Sequence, residues 1–258
     1  MRRAFGARIL PNLTSPGRRS QNGALMREPL RGKTALVTGG SRGIGKAIAR
    51  AFHHAGARVF ICGRDAKSLV RAAKEIGEIV CIQADVRRDL RRLFRPIDRL
   101  DVLVNNAGGM LHYKPFERTS AKEWRSTFDL NLFSVVEVTR AALPLLRRSK
   151  GCIVNIASDV GRRPFDMGPD YCAAKSAVIN LSRYLAAELA PIRVNAVCPG
   201  PVNTGDWPES VVRKAASRTL LGRTGTVEEV ADAVLFAATC EFLTGAVCGV
   251  DGGAVRSP

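Results

Sequence analysis

Apolar and polar positions along the chain follow two alternating periods. Short, nearly continuous apolar runs recur at TALVT (34–38), RVFIC (58–62), EIVCIQ (78–83), LDVLVNN (100–106), GCIVNIAS (151–158), IRVNAVCP (192–199) and AVCGVDGG (246–253). Runs of this kind read as strands buried on both faces. Between them lie stretches with helical spacing. In GIGKAIARAFHHA (43–55), Ile44, Ile48, Ala51 and Phe52 fall on one stripe. The same spacing predicts helices over 66–76, 121–147, 170–190, 208–217 and 226–239. Seven apolar strands alternating with helices predict an α/β fold: a single doubly wound Rossmann-type domain over residues 30–258. Its seven-stranded, mostly parallel sheet carries helices on both faces. No internal repeat and no second domain are signalled.

Composition agrees with a packed domain, since 46% of the 258 residues are hydrophobic. No run of about 18 apolar residues predicts a membrane-spanning helix. The formal charge of +17, from 40 Lys and Arg against 23 Asp and Glu, raises the question of a polyanionic partner. The basic residues are scattered, and 31 of them are arginine. No helix-turn-helix, zinc finger or RNA-stacking motif accompanies them, so nucleic acid is not the expected partner. Residues 1–29 read as a basic, disordered extension. Residues 1–25 hold Arg2, Arg3, Arg8, Arg18 and Arg19 and no acid. Three readings of that segment stay open: a disordered tail, an arginine-rich transit peptide, or residues preceding a start at Met26. The densest remaining cluster is Arg87, Arg88, Arg91, Arg92, Arg95 and Arg99. Seven cysteines, an odd number with no C-x-x-C pair, read as buried reduced thiols of a cytoplasmic protein. Organelle import is the alternative if the leading segment is a transit peptide. His53, His54 and His112 lack ligand spacing to any cysteine, so no metal site is expected.

Three constellations carry chemistry. Thr38-Gly39-Gly40-Ser41-Arg42-Gly43-Ile44-Gly45 follows the first strand and opens the first helix. Glycines there let backbone approach a pyrophosphate at a helix N-terminus, although an ordinary turn also needs glycine. Tyr171 and Lys175, four apart in a predicted helix, share a face. A phenol titrates near pH 10, and a neighbouring ammonium favours the phenolate; a surface Tyr–Lys pair is the plainer reading. Ser158 stands at a strand end, where open α/β sheets face their ligands, or where a serine merely caps a turn.

Taken with Asn105-Asn106-Ala107-Gly108, Asn131, Pro199-Gly200, Thr204, Leu243-Thr244-Gly245 and Asp251-Gly252-Gly253, these residues resemble the short-chain dehydrogenase/reductase family over about 30 to 253. The overall look is nearest to 3-oxoacyl-carrier-protein reductase-like and tropinone-reductase-like members. The resemblance implies hydride transfer between a nicotinamide and a carbonyl or carbinol carbon. It implies Tyr171 as catalytic acid or base, and Lys175 as the residue that holds the ribose and lowers the tyrosine pKa. It implies Ser158 at the substrate oxygen and Asn131 on a relay water. The cofactor would lie along Thr38, Gly39, Ser41, Arg42, Gly43, Ile44 and Gly45, and along Asp85 and Val86 at the adenine. Asn105, Ala107, Gly108, Pro199, Gly200 and Val202 would line the cleft, with Thr204 at the carboxamide. Members are homo-oligomers, dimers or tetramers, paired through the helices of 121–147 and 170–190.

Charge decides the cofactor expectation. NAD-preferring relatives place an acid at the end of the second strand to accept from the ribose 2′-OH. Here Gly63 holds that place, Arg64 follows, and Arg42 lies in the glycine turn. Two guanidiniums suit a 2′-phosphate, so NADP(H) is expected over NAD(H), with carbonyl reduction as the working direction. Asp65 would weaken such a site. Only 19 residues separate Asp85 from Asn105, which predicts a shortened third helix ended by Pro96, and the turn at Ala190–Arg193 is short as well. The substrate walls are expected from 108–117, 159–170 and a lid at 201–221, with Met110, Tyr113, Phe165 and Trp207 as apolar lining. The substrate itself stays open among ketones, sugars, steroid-like rings and acyl thioesters, with an acidic carrier protein as one source of the last. The alternative function is a non-catalytic relative that senses dinucleotide or binds nucleic acid.

Overall fold

The computed structural model describes residues 28–163, 168–205 and 207–254. The expected N-terminal extension lies outside them except for Glu28 and Pro29, and so does Phe165. The chain runs β1 (Thr34–Thr38), α1 (Gly43–His54), β2 (Arg58–Gly63), α2 (Ala66–Ile76), β3 (Val80–Gln83), α3 (Leu90–Phe94) and β4 (Val102–Asn105). It continues through α4 (Ala121–Phe128), α5 (Ser134–Ser149), β5 (Cys152–Ile156), α6 (Pro169–Glu188), β6 (Arg193–Pro199), α7 (Glu209–Ala216), α8 (Val227–Thr239) and β7 (Val247–Val250). All seven strands pair in parallel in the order β3-β2-β1-β4-β5-β6-β7. The order reverses between β1 and β4. Connections leave the two sides of that point in opposite directions and open a crevice at the carboxyl ends of the strands.

Side-chain alternation on the strands builds two cores. Val37, Val59, Ile61, Val104 and Val154 point to the face covered by α1, α2 and α8, where Ile48, Phe52, Leu69 and Val234 meet them. Leu36, Phe60, Leu103, Ile153 and Val194 point to the other face, against Leu93, Val138, Ala142 and Leu146 of α3 and α5. Phe52 and Phe60 are fully buried on opposite sides. Truncating either to alanine costs about 3–5 kcal/mol.

The expected short third helix is observed: α3 has five residues, and its C-cap Arg95 directly precedes Pro96. The helix predicted over 121–147 is not continuous. A π-helical segment, Asp129–Phe133, separates α4 from α5. The Asn131 amide donates to the carbonyl of Thr127, and Ser134 Oγ donates to that of Leu130. These side chains take carbonyls from the i→i−4 ladder, and the backbone widens there. Among the described residues, no helix is long and apolar enough to cross a membrane.

Candidate active site

The glycine turn is built by close approach. A Cβ on Gly45 would lie 2.3 Å from the Gly39 carbonyl oxygen, and Gly39 has a φ of +64°. Thr38 anchors the turn from below. Its Oγ1 accepts the backbone N–H groups of Asn106 and Ala107 at 2.9 and 3.0 Å. The Asn106 side chain donates to the carbonyls of Thr38 and Gly39. Arg42 occupies the N-cap of α1 without capping it, and the first turn carries no acid. The positive end of this twelve-residue helix therefore faces the crevice.

The crevice is a cleft of about 2060 Å³, larger than a single drug-sized site and sized for a dinucleotide together with a substrate. Gly39, Ser41, Arg42, Gly43, Ile44, Gly45, Arg64, Asp85, Val86, Ala107, Gly108, Ser158, Tyr171, Lys175, Pro199, Gly200, Val202 and Thr204 all line it. Three expected residues do not. Thr38 is buried beneath the turn. Asn105 points into the sheet, where its amide donates to Thr139 Oγ1 and Asn155 Oδ1 and its carbonyl oxygen is buried with no partner; Asn106 takes its place on the wall. Asn131 is fully buried. Its Oδ1 accepts Gly109 N–H at 2.9 Å and its Nδ2 donates to Gly109 and Thr127 carbonyls. That side chain is spent on backbone, so a relay water would have to bond elsewhere on the residue.

The far end of the cleft, where the adenine is expected, carries several basic groups beside Asp65, Glu75 and Asp85. Arg42, Arg64, Lys46 and Arg71 line it with Ser41 and Ser68. Lys46 is paired with Glu75 at 2.6 Å. Arg71 and Ser68 lie one turn apart on α2. Asp65, the acid expected to weaken a phosphate site, instead caps α2: its carboxylate accepts the N–H groups of Lys67 and Ser68. Hydrogen bonds from Ser68 first, then Lys67, hold it below the usual carboxylate range. Asp85 takes three bonds from Arg87 and one from Arg88. The Arg87 guanidinium, the largest influence, holds it down to about 2. Two of the clustered arginines are thus paired with Asp85, Arg87 largely covered and Arg88 still exposed.

The reaction end gathers Ser158, Tyr171 and Lys175. Lys175 lies one turn beyond Tyr171 on α6, is 4% exposed, and donates to the Ile156 carbonyl at 2.8 Å. Its ammonium sits 5.7 Å from the Tyr171 ring centre. Burial pulls Lys175 down to about 8. Burial also pushes Tyr171 up to about 12, against a smaller lowering by Ser158. Burial is the largest influence on the phenol and favours its protonated form. Ser158 Oγ donates to Asp159 Oδ1 at 3.1 Å.

A buried network that the sequence pattern did not single out supports these groups. Asp170, 1% exposed, accepts from Thr127 Oγ1 and lies 3.1 Å from His112 Nε2. Thr127 also receives the Asn131 amide. The loop carrying His112, the π segment and the start of α6 are thus tied together. Met110, Tyr113 and Trp207 line the substrate end, with Val211 and Ala215 of α7.

The family profile described as short chain dehydrogenase matches residues 33–213. The L-fucose dehydrogenase of Oryctolagus cuniculus is 39% identical over 241 residues, covering 86% of this chain and 85% of that protein. The meso-2,3-butanediol dehydrogenase of Serratia marcescens is 36% identical over 245 residues, 87% of this chain and 95% of that protein. The 3-oxoacyl-[acyl-carrier-protein] reductase of Thermotoga maritima is 36% identical over 244 residues, 88% and 99% respectively.

Proposed function

The chain belongs to the short-chain dehydrogenase family, and from that premise we propose that it is an NADP(H)-dependent carbonyl reductase working through Ser158, Tyr171, Lys175 and Asn131. One observation carries the reading: Ser158, Tyr171 and Lys175 line the same cleft as the glycine turn and the arginines of its far end. NADP(H) would rest on Gly39–Gly45, with Arg42, Arg64 and Arg71 around the 2′-phosphate and Lys175 at the nicotinamide ribose. When bound, the nicotinamide supplies or accepts the hydride.

In reduction, Ser158 holds the substrate oxygen and Tyr171 Oη gives it a proton as the carbon receives hydride, so that C=O becomes CH–OH. The phenol is already protonated in this site, the state that reduction needs. Lys175 favours the phenolate left behind and passes a proton back to it. Asn131 fixes Gly109 and Thr127, and so keeps Gly108 and its neighbours against the cofactor end of the site. The relatives' names span a sugar, a diol and an acyl thioester, so a small-molecule carbonyl or alcohol is the substrate class. Phe133 and Tyr184, 53% and 65% exposed on the α5 and α6 side of the molecule, support a homo-oligomer paired there, which gel filtration reads directly. The functional test is loss of NADPH absorbance over a panel of ketones, acyl thioesters and quinones. No turnover of any of them in the presence of bound NADPH overturns the reductase reading in favour of a dinucleotide sensor.

A further inference from the structure

Ser158 and Asp159 leave the end of β5 as consecutive residues, and both line the cleft. Asp159 is 7% exposed. Its Oδ1 accepts from Ser158 Oγ at 3.1 Å and from Val160 N–H at 2.9 Å. Among the described residues, its Oδ2 accepts no hydrogen bond from any side chain or backbone group. Among the described residues no ion pair reaches it either. Arg162, the nearest basic group in sequence, is paired with Asp251 at 2.9 Å, and Asp251 itself repels the Asp159 charge. The other titratable groups that feel it are Tyr171 and Cys198, both of which it pushes up. Burial raises Asp159 to about 6, so at neutral pH it is a carboxylate that can only accept. An apolar residue would fill the space at less cost.

We propose that Asp159 selects substrates with a hydroxyl on the carbon next to the reacting one, which makes the substrate class an α-hydroxy ketone, or a vicinal diol in the reverse direction. This rests on the reading of Ser158 and Tyr171 as the site of carbonyl reduction. Oxygens on neighbouring carbons are spaced about one hydrogen bond apart, the same step as from Ser158 Oγ to the Asp159 carboxylate. When the Ser158 hydroxyl turns from Asp159 Oδ1 to donate to the reacting carbonyl oxygen, the neighbouring substrate hydroxyl takes its place as the donor to Asp159. A methylene at that position leaves the carboxylate unsatisfied, and an anionic group is repelled. Sites that hydrogen-bond a substrate hydroxyl discriminate strongly against analogues lacking it.

The test compares acetoin with 2-butanone, which differ by that one hydroxyl, as substrates with NADPH. Wild type is expected to favour acetoin in kcat/KM by at least about tenfold. In Asp159→Val the ratio falls by about tenfold, and in Asp159→Asn, which keeps the shape and one acceptor oxygen, it falls by less. A wild-type ratio near one, or a ratio unchanged in the folded variants, overturns the proposal and leaves the reductase reading intact. If neither ketone is reduced, the wider substrate panel decides the reductase reading, and binding decides the proposal. Acetoin then alters the fluorescence of bound NADPH at about tenfold lower concentration than 2-butanone; equal concentrations overturn it.

Discussion

The Lys175 ammonium is fixed to the carbonyl oxygen of Ile156 at 2.8 Å, and among the described residues no carboxylate pairs with it. A backbone oxygen orients the charge without neutralising it. Burial has lowered the group from 10.5 to about 8, so the ammonium is lost as pH rises through about 8. NADPH binding is therefore expected to weaken as the pH rises from 7 to 9, read by fluorescence titration. In Lys175→Met the affinity is lower throughout and flat over that range. A pH dependence that survives in Lys175→Met assigns the titration to another group.

Tyr171 is the proposed proton donor. Tyr171→Phe keeps the ring against Lys175 and removes only Oη. Ketone reduction is expected to fall by about 10³-fold or more, while the Kd for NADPH changes by less than about threefold. Turnover at the wild-type rate in this variant would refute the mechanism.

Arg42 and Arg64 flank the expected 2′-phosphate with Arg71 behind them. Replacing Arg42 and Arg64 together with alanine is expected to raise the KM for NADPH by about 10- to 100-fold, and the KM for NADH by less than about threefold. Asp65 should not oppose the phosphate, because its oxygens are turned to the N–H groups of α2. Asp65→Ala is accordingly expected to loosen α2 and lower stability, rather than to improve NADPH binding. Denaturant unfolding and NADPH KM measured side by side separate the two effects.

Asp159 imposes a stability cost with a definite pH signature. Its folded pKa is raised from 3.8 to about 6. The folded state holds the proton more tightly than the unfolded chain. The penalty is absent below about 4, grows between 4 and 6, and is complete above 6. Asp159→Asn is expected to stabilise the protein at pH 7.5 by on the order of 2 kcal/mol and to have little effect at pH 4. An equal gain at both values would mark a packing effect instead.

The strands and their order of appearance were legible because buried parallel strands leave apolar runs that nothing else in the chain imitates. The π segment at Asp129–Phe133 was not legible. The apolar period runs through it unbroken, and the break depends on where the Asn131 and Ser134 side chains point. The same limit explains Asn105 and Asn106. Adjacent residues at a strand end alternate in direction, and only the three-dimensional register shows that Asn106 faces the cleft. Arg71 was within reach, one turn beyond Ser68 in the helix predicted over 66–76. Asp170 and His112 were not, since they come from segments 58 residues apart in sequence and meet only through the fold.

The chain of contacts from His112 through Asp170 and Thr127 to Asn131 has a mechanical consequence. The loop that borders the substrate and the helix that carries Tyr171 are joined by buried polar contacts, so neither shifts alone. A substrate too bulky for the loop can still occupy the cleft, but only by displacing the residues that do the chemistry. Selection against such molecules would then be paid in turnover number rather than in affinity: oversized ligands would be held as inhibitors, not turned away.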